Sequence, residues 1–255
     1  MKKFYYSFII TILAFVSLFV IVTSCRKYID TTTVEPPIDL ICTLNITGGC
    51  LDQWVSVNDG YDNICMEPAG NYLRTLNYLY TLPASAGGPG PITTDSTSDS
   101  YSGKAALLIT GTFTVQGTAL LIPGLVGTDS LDIPNSTIRL GKRCTTKPLR
   151  FNGYYKYQPI AGDSAMISIV LSKYNIAASK RDTIGFVKQI YKNIVNTYTP
   201  IDLPILYDPD YITYTPDTLT LLVCSSAGIN FSDLFTCKGQ VGSKMWIDEI
   251  SFVMP

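Results

Sequence analysis

Apolar residues along this chain fall in short bursts, and several bursts alternate with polar residues. In Leu149 to Gln158 one face carries Leu149, Phe151, Gly153, Tyr155 and Tyr157, and the other Arg150, Asn152, Tyr154, Lys156 and Gln158. A period of two is that of a strand buried on one side. Ala165 to Lys173 sets Ile167, Ile169 and Leu171 against Met166, Ser168 and Val170, and Leu219 to Val223 is apolar but for Thr220, as in a central strand. The closing segment, Ser243 to Val253, changes phase halfway. Met245 and Ile247 share one face, Ile250 and Phe252 share another, and keeping all four inward requires an extra residue near Asp248-Glu249. That predicts a β-bulge. Turn signals such as Gly48-Gly49, Asp59-Gly60, Pro123-Gly124, Gly162-Asp163 and Pro216-Asp217 punctuate the chain at short intervals. The pattern predicts an all-β, two-sheet antiparallel sandwich rather than βαβ units. Tyr72 to Tyr80 is the best helix candidate and reads equally well as a strand.

The one long apolar run, Phe4 to Val22, follows Lys2 and Lys3 and ends at Val22-Thr23-Ser24-Cys25. Residues 1–24 read as a signal peptide. Small residues before a Cys resemble a bacterial lipobox, which makes Cys25 the expected lipidation site; the alternative is a plain membrane-anchor helix. Residues 25–40, Thr-rich and holding Pro36-Pro37, read as a lipid-anchored tether, and residues 41–255 as the folded domain. Both readings place that domain outside the cytoplasm, and the lipobox reading on the outer membrane. Arg26 and Lys27 stand where surface-displayed lipoproteins carry acids, so periplasmic and outward orientations stay open.

Composition narrows the chemistry. The 255 residues contain no His, which excludes Ser-His-Asp triads, Cys-His pairs and His-ligated zinc. The acids are 17 Asp and 3 Glu, a bias toward turns and loops. Losing residues 1–24 leaves 17 basic residues against 20 acids, so net charge moves from −1 to −3. Neither value offers a footprint for nucleic acid. Beyond Cys25 stand Cys42, Cys50, Cys65, Cys144, Cys224 and Cys237, an even number suited to disulfides in an oxidising compartment; buried thiols are the alternative, and metal binding lacks a CxxC or CxH spacing. Cys224 with Cys237 is the pair the strand pattern favours.

The polar face of Leu149 to Gln158 is the first candidate site. Sugars present hydroxyl edges and weakly apolar CH faces, and Arg150, Asn152, Tyr154 and Lys156 set donors beside an aromatic ring on a stiff strand. The same residues also suit a solvated outer face. Trp54 and Trp246 are the two tryptophans. Trp246 falls opposite Met245 and Ile247, so it is expected to point outward, either as a stacking platform or beneath a loop. Glu67 and Glu249 are the Glu residues within the domain, and loop carboxylates are the raw material of a glycosidase. Lys156 with Tyr154 or Tyr155 is the corresponding set for a lyase.

The segments Pro148 to Pro159 (PLRFNGYYKYQP), Gly162 to Leu171 (GDSAMISIVL) and Val241 to Ile250 (VGSKMWIDEI) resemble the putative carbohydrate metabolism domain of Bacteroidetes lipoproteins. Ser102 to Thr110, Leu51 to Trp54 and Leu73 to Asn77 resemble its amino-terminal elements, in order. The resemblance runs from Leu51 to Pro255, and the middle, Thr112 to Lys147, matches only in strand rhythm. It implies a jelly-roll fold akin to carbohydrate-binding modules, a role in glycan acquisition and, as partners, glycan and other glycan-uptake proteins. It also implies a structural calcium clipping the first strand to the last, held by Asp52, Asp248 and the backbone around Ser102-Gly103-Lys104; no other cofactor is implied. The expected function is a lipid-anchored glycan-binding module. The alternatives are a glycoside hydrolase or polysaccharide lyase, toward which the residues lean less, and a structural or adhesive lipoprotein that binds protein.

Overall fold

The computed structural model describes residues 49–57, 64–70, 72–77, 90–115, 117–132, 137–229 and 237–255. The signal segment, Cys25, the tether and Cys42 lie outside them.

Strands are numbered β1 to β18 in chain order. One sheet has five strands in the order β15 (Val195–Pro204), β12 (Arg150–Gln158), β18 (Lys244–Val253), β5 (Ala105–Ile109) and β4 (Thr94–Thr97). The facing sheet runs β16 (Leu206–Tyr207), β14 (Lys180–Tyr191), β13 (Ala165–Asn175), β17 (Thr218–Cys224), β8 (Leu125–Gly127) and β3 (Arg74–Thr75), with β11 (Lys142–Arg143) also paired to β17. Two-stranded ribbons are made by β1 (Trp54–Val57) with β2 (Cys65–Pro68), β6 (Gly111–Val115) with β7 (Thr118–Ile122), and β9 (Asp129–Asp132) with β10 (Thr137–Leu140). The ladders are antiparallel. The protein is an all-β sandwich of jelly-roll type, and the alternating runs form β12, β13 and β18.

The inward residues are those the alternation assigns. Phe151, Tyr157, Met245, Ile247, Ile250 and Phe252 from one sheet meet Ile167, Ile169, Leu171, Leu219, Leu221 and Val223 from the other in one core. Burying each large aliphatic side chain contributes about 1.5–3 kcal/mol. The far side of the larger sheet is also covered. Met166, Leu222 and Cys224 there pack with Leu76 and with Phe113, Leu120 and Ile122 of the β6–β7 ribbon. The unbroken apolar stretch Leu221 to Cys224 of β17 is therefore apolar because both of its faces are buried.

The bulge in β18 exists. Asn152 faces Ser251 and Tyr154 faces Asp248, so Gly153 alone opposes Glu249 and Ile250. Glu249 takes φ +48 there. A Cβ on Gly153 would sit 3.0 Å from Ile250 Cγ2 and 3.1 Å from the Asp248 carbonyl oxygen. The glycine of the GYYKY run thus leaves room for the extra residue.

One open reading is decided and one expectation is corrected. Arg74–Thr75 is a strand and no helix forms within 72–77; residues 78–80 lie outside the described residues. No disulfide joins described cysteines, Cys224 with Cys237 included. Cys50 is exposed, Cys65 in β2 and Cys144 just after β11 are buried, and the Cys144 thiol is engaged with Thr146. Cys224 is sealed in the second apolar cluster, where burial, with Cys237 nearby, pushes its thiol up to about 12.

Candidate functional site

The outer face of the five-stranded sheet is where alternation puts the second set of β12 side chains. Register places Lys156 beside Trp246, Trp246 beside Leu107 and Leu107 beside Asp95, one row across four strands. The next row holds Tyr154 beside Asp248, and the one beyond holds Asn152 between Ser251 and Asp202. Four of the five ligand-face residues expected from sequence therefore share a strand, and Trp246 joins them from its neighbour.

The sequence pattern does not reveal that a loop lies over this face. Residues 98–104, between β4 and β5, fold back across β12 and β18. The Tyr101 ring stacks on Tyr154 with centroids 3.5 Å apart and planes 9° from parallel, and Tyr198 approaches edge-on at 6.4 Å. The Tyr198 hydroxyl donates to the Asp99 carbonyl at 2.6 Å, and the Asp99 carboxylate pairs with Lys156. The Lys156 ammonium lies 4.8 Å from the Trp246 ring centroid and 4.9 Å from that of Tyr198.

That cover corrects the exposed place expected for Lys156 and decides between the two expected for Trp246. Trp246 does face away from Met245 and Ile247, yet it is only 7% exposed, and Lys156 only 9%. An ammonium so enclosed is held by its paired carboxylate and two ring faces. Trp246 is a buried floor, and the exposed aromatic surface is Tyr101, at 52%. Tyr101 sits in a Ser-rich loop with no strand alternation around it, so nothing in its local pattern marks it. Arg150 pairs with Asp202, and both are well exposed. The bond raises the guanidinium pKa and lowers that of the carboxyl. Asn152, turned so that its amide nitrogen faces the Phe151 carbonyl and Asp202, donates to both at 3.2 Å. The Tyr154 hydroxyl is raised, first by its hydrogen bond with Tyr101, then by that neighbour's charge, by desolvation and by Glu249.

The residues assigned to calcium do come together. Asp248 Oδ2 accepts the Tyr101 and Ser102 N–H groups at 2.8 and 3.0 Å, and its Oδ1 accepts the Glu249 N–H at 2.8 Å. Asp52 Oδ1 accepts the Lys104 N–H at 2.6 Å. Gly103, at φ +53, lies so close to Asp52 that a Cβ would collide with the carboxylate. The groups bonded to these carboxylates are N–H donors, so the geometry is that of carboxylates buckling a loop to the bulged strand. Burial and, less strongly, Asp52 raise the Asp248 pKa against its three N–H bonds; Glu249 is raised by burial, then by Asp248 and Asp52.

Two further candidates are structural. Trp54 Nε1 donates to the Leu51 carbonyl at 2.8 Å, and the ring packs against the main core. Glu67 is buried and accepts from Thr75 through N–H and hydroxyl at 2.8 and 2.6 Å.

No family model matches the chain, and no curated protein sequence matches it. Solved structures do share the fold. A putative glycoside hydrolase from Bacteroides thetaiotaomicron is 17% identical with a TM-score of 0.57, covering 79% of this chain and 67% of that one. A second putative glycoside hydrolase, from Bacteroides vulgatus, is 16% identical with a TM-score of 0.56, over 79% of this chain and 91% of the other. At such identities the likeness is one of fold.

Proposed function

We propose that this protein is a glycan-binding module, anchored through lipidated Cys25 to the outer membrane and belonging to the carbohydrate metabolism domain that its sequence resembles. The observation that carries this reading is the half-exposed Tyr101 ring stacked on Tyr154 at 3.5 Å. A flat ring backed by a second ring is a rigid platform for the CH face of a sugar, and it loses little conformational entropy on binding. Arg150, Asn152 and Tyr198 border the platform with groups able to meet ring hydroxyls, while Lys156 and Trp246 support it from below. Fold likeness to two proteins described as putative glycoside hydrolases agrees with a carbohydrate role and carries no residue-level weight. A membrane full of copies would raise weak single-site affinity through effective concentration.

Hydrolysis finds less support. Asp248 already accepts three N–H bonds, and Lys156, engaged by Asp99, is not poised as a lyase base. The test is a glycan array probed with the full-length chain in detergent, alongside a reducing-sugar assay on whatever is retained. Retention that Tyr101→Ala reduces by about tenfold, at an unchanged melting temperature, is the expected result. Silence across plant, host and microbial glycans overturns the reading, and sugar release turns it into an enzyme.

A further inference from the structure

An anionic sugar needs a cation or a set of free N–H donors to receive its carboxylate or sulfate. At this face the N–H donors of the loop and the two cations of β12 are committed. Arg150 is paired with Asp202 and Lys156 with Asp99. The N–H groups of Tyr101, Ser102 and Glu249 are taken by Asp248, and that of Lys104 by Asp52. The charged side chains on the face and its loop are Lys104, Arg150, Lys156 and Lys244 against Asp52, Asp95, Asp99, Asp202, Asp248 and Glu249, four cations to six carboxylates. An acidic surplus repels an incoming anion and selects by exclusion. We infer that the platform takes uncharged glycans and rejects uronate-bearing and sulfated ones, because the protein's own carboxylates occupy the groups that would receive an acid. The inference rests on the glycan reading and names the ligand class within it.

The experiment compares two panels on the full-length chain in detergent: neutral galactan, glucan, mannan and xylan oligomers, and galacturonan and sulfated glycosaminoglycan oligomers. At least one neutral oligomer is expected to be retained, with affinity nearly flat between low and high NaCl, while the acidic panel is not. Asp202→Asn, which frees the exposed Arg150 without touching the core, should strengthen binding of galacturonan oligomers by about threefold, the size of one exposed charge contact. Adding Asp99→Asn should increase the gain. Wild-type retention of the acidic panel, weakened by salt, overturns this inference and leaves glycan binding intact. An acidic panel that Asp202→Asn leaves as it was, in a variant that melts like wild type, also overturns it. Silence from both panels fells the glycan reading and takes this inference with it.

Discussion

The Tyr101 ring lies flat on the Tyr154 ring, 3.5 Å away, and its hydroxyl is the first cause of the raised Tyr154 pKa. The pair joins the β4–β5 loop to the centre of β12, and one change tests it. Tyr101→Phe keeps the stack and removes the hydroxyl, so Tyr154 should titrate closer to an ordinary tyrosine. Tyrosine labelled with 13C at the ζ carbon, followed through alkaline pH by NMR, resolves the shift. A Tyr154 signal that titrates as in wild type would show that desolvation and Glu249, not the Tyr101 hydroxyl, set its pKa.

Asp248 should give an unusual pH signature. Its folded pKa is raised, so over the interval between its unfolded and folded values the native state holds more protons than the unfolded chain. Its contribution to stability is therefore complete below the unfolded carboxylate value and is lost as pH rises through the folded one. Asp217 has the opposite sign. Burial opposes its ionisation, but bonds from the Tyr174 N–H, Arg181 and Thr218 outweigh that and lower it. Its contribution is present above the unfolded value and fades as pH falls through the folded one. Urea titrations across acid pH should show the advantage of wild type over Asp248→Asn shrinking as pH rises, and its advantage over Asp217→Asn growing. Asp248→Asn should also cost about 1–3 kcal/mol at neutral pH, because one amide oxygen cannot accept all three N–H groups.

Gly153 is the counterpart of the bulge. Alanine there must displace Ile250 Cγ2 and the Asp248 carbonyl, and overpacking of this kind costs about 1–3 kcal/mol. Since Asp248 holds Tyr101 and Ser102, Gly153→Ala should also speed amide exchange at those two residues, read by hydrogen–deuterium exchange. Loss of stability with no change at Tyr101 and Ser102 would separate the bulge from the loop.

The strands and their faces were legible because strand alternation is local. Each residue of Leu149 to Gln158 declares its side through its neighbours, and the phase break at Asp248-Glu249 declares the bulge. The cover of the outer face was not legible. Asp99 and Tyr101 reach Lys156 and Tyr154 across more than fifty positions, and no short-range pattern records such a contact. For that reason alternation assigned Trp246 its side but left the stacking platform and the place beneath a loop as equal readings. The same limit touches the calcium residues: sequence order brings Asp52, Asp248 and the 102–104 loop into one neighbourhood, but only coordinates show that N–H groups face the carboxylates. For cysteines the parity argument was silent about depth, and depth isolates Cys224. Iodoacetamide at mildly alkaline pH should therefore label exposed Cys50 first and Cys224 only after urea unfolding, as mass spectrometry of timed samples would show.

Lys156 has two roles that two substitutions separate. Its ammonium pairs with Asp99 and faces two aromatic rings, while its methylene stem covers Trp246. Lys156→Met keeps the cover and drops the charge. The ring contacts are lost while Asp99, already half-exposed, regains water, so the cost should be about 1 kcal/mol. Lys156→Ala drops both, and water then reaches the indole from the sheet's outer side. Tryptophan emission should shift to the red in Lys156→Ala and hold near its wild-type position in Lys156→Met, since Trp54 stays packed against the core in both. Exchange at residues 98–104 should quicken in either variant, because the tie to Asp99 is gone from both. If Lys156→Ala leaves the emission unmoved, the loop itself, not the lysine, keeps Trp246 dry, and the platform's floor survives without its cation.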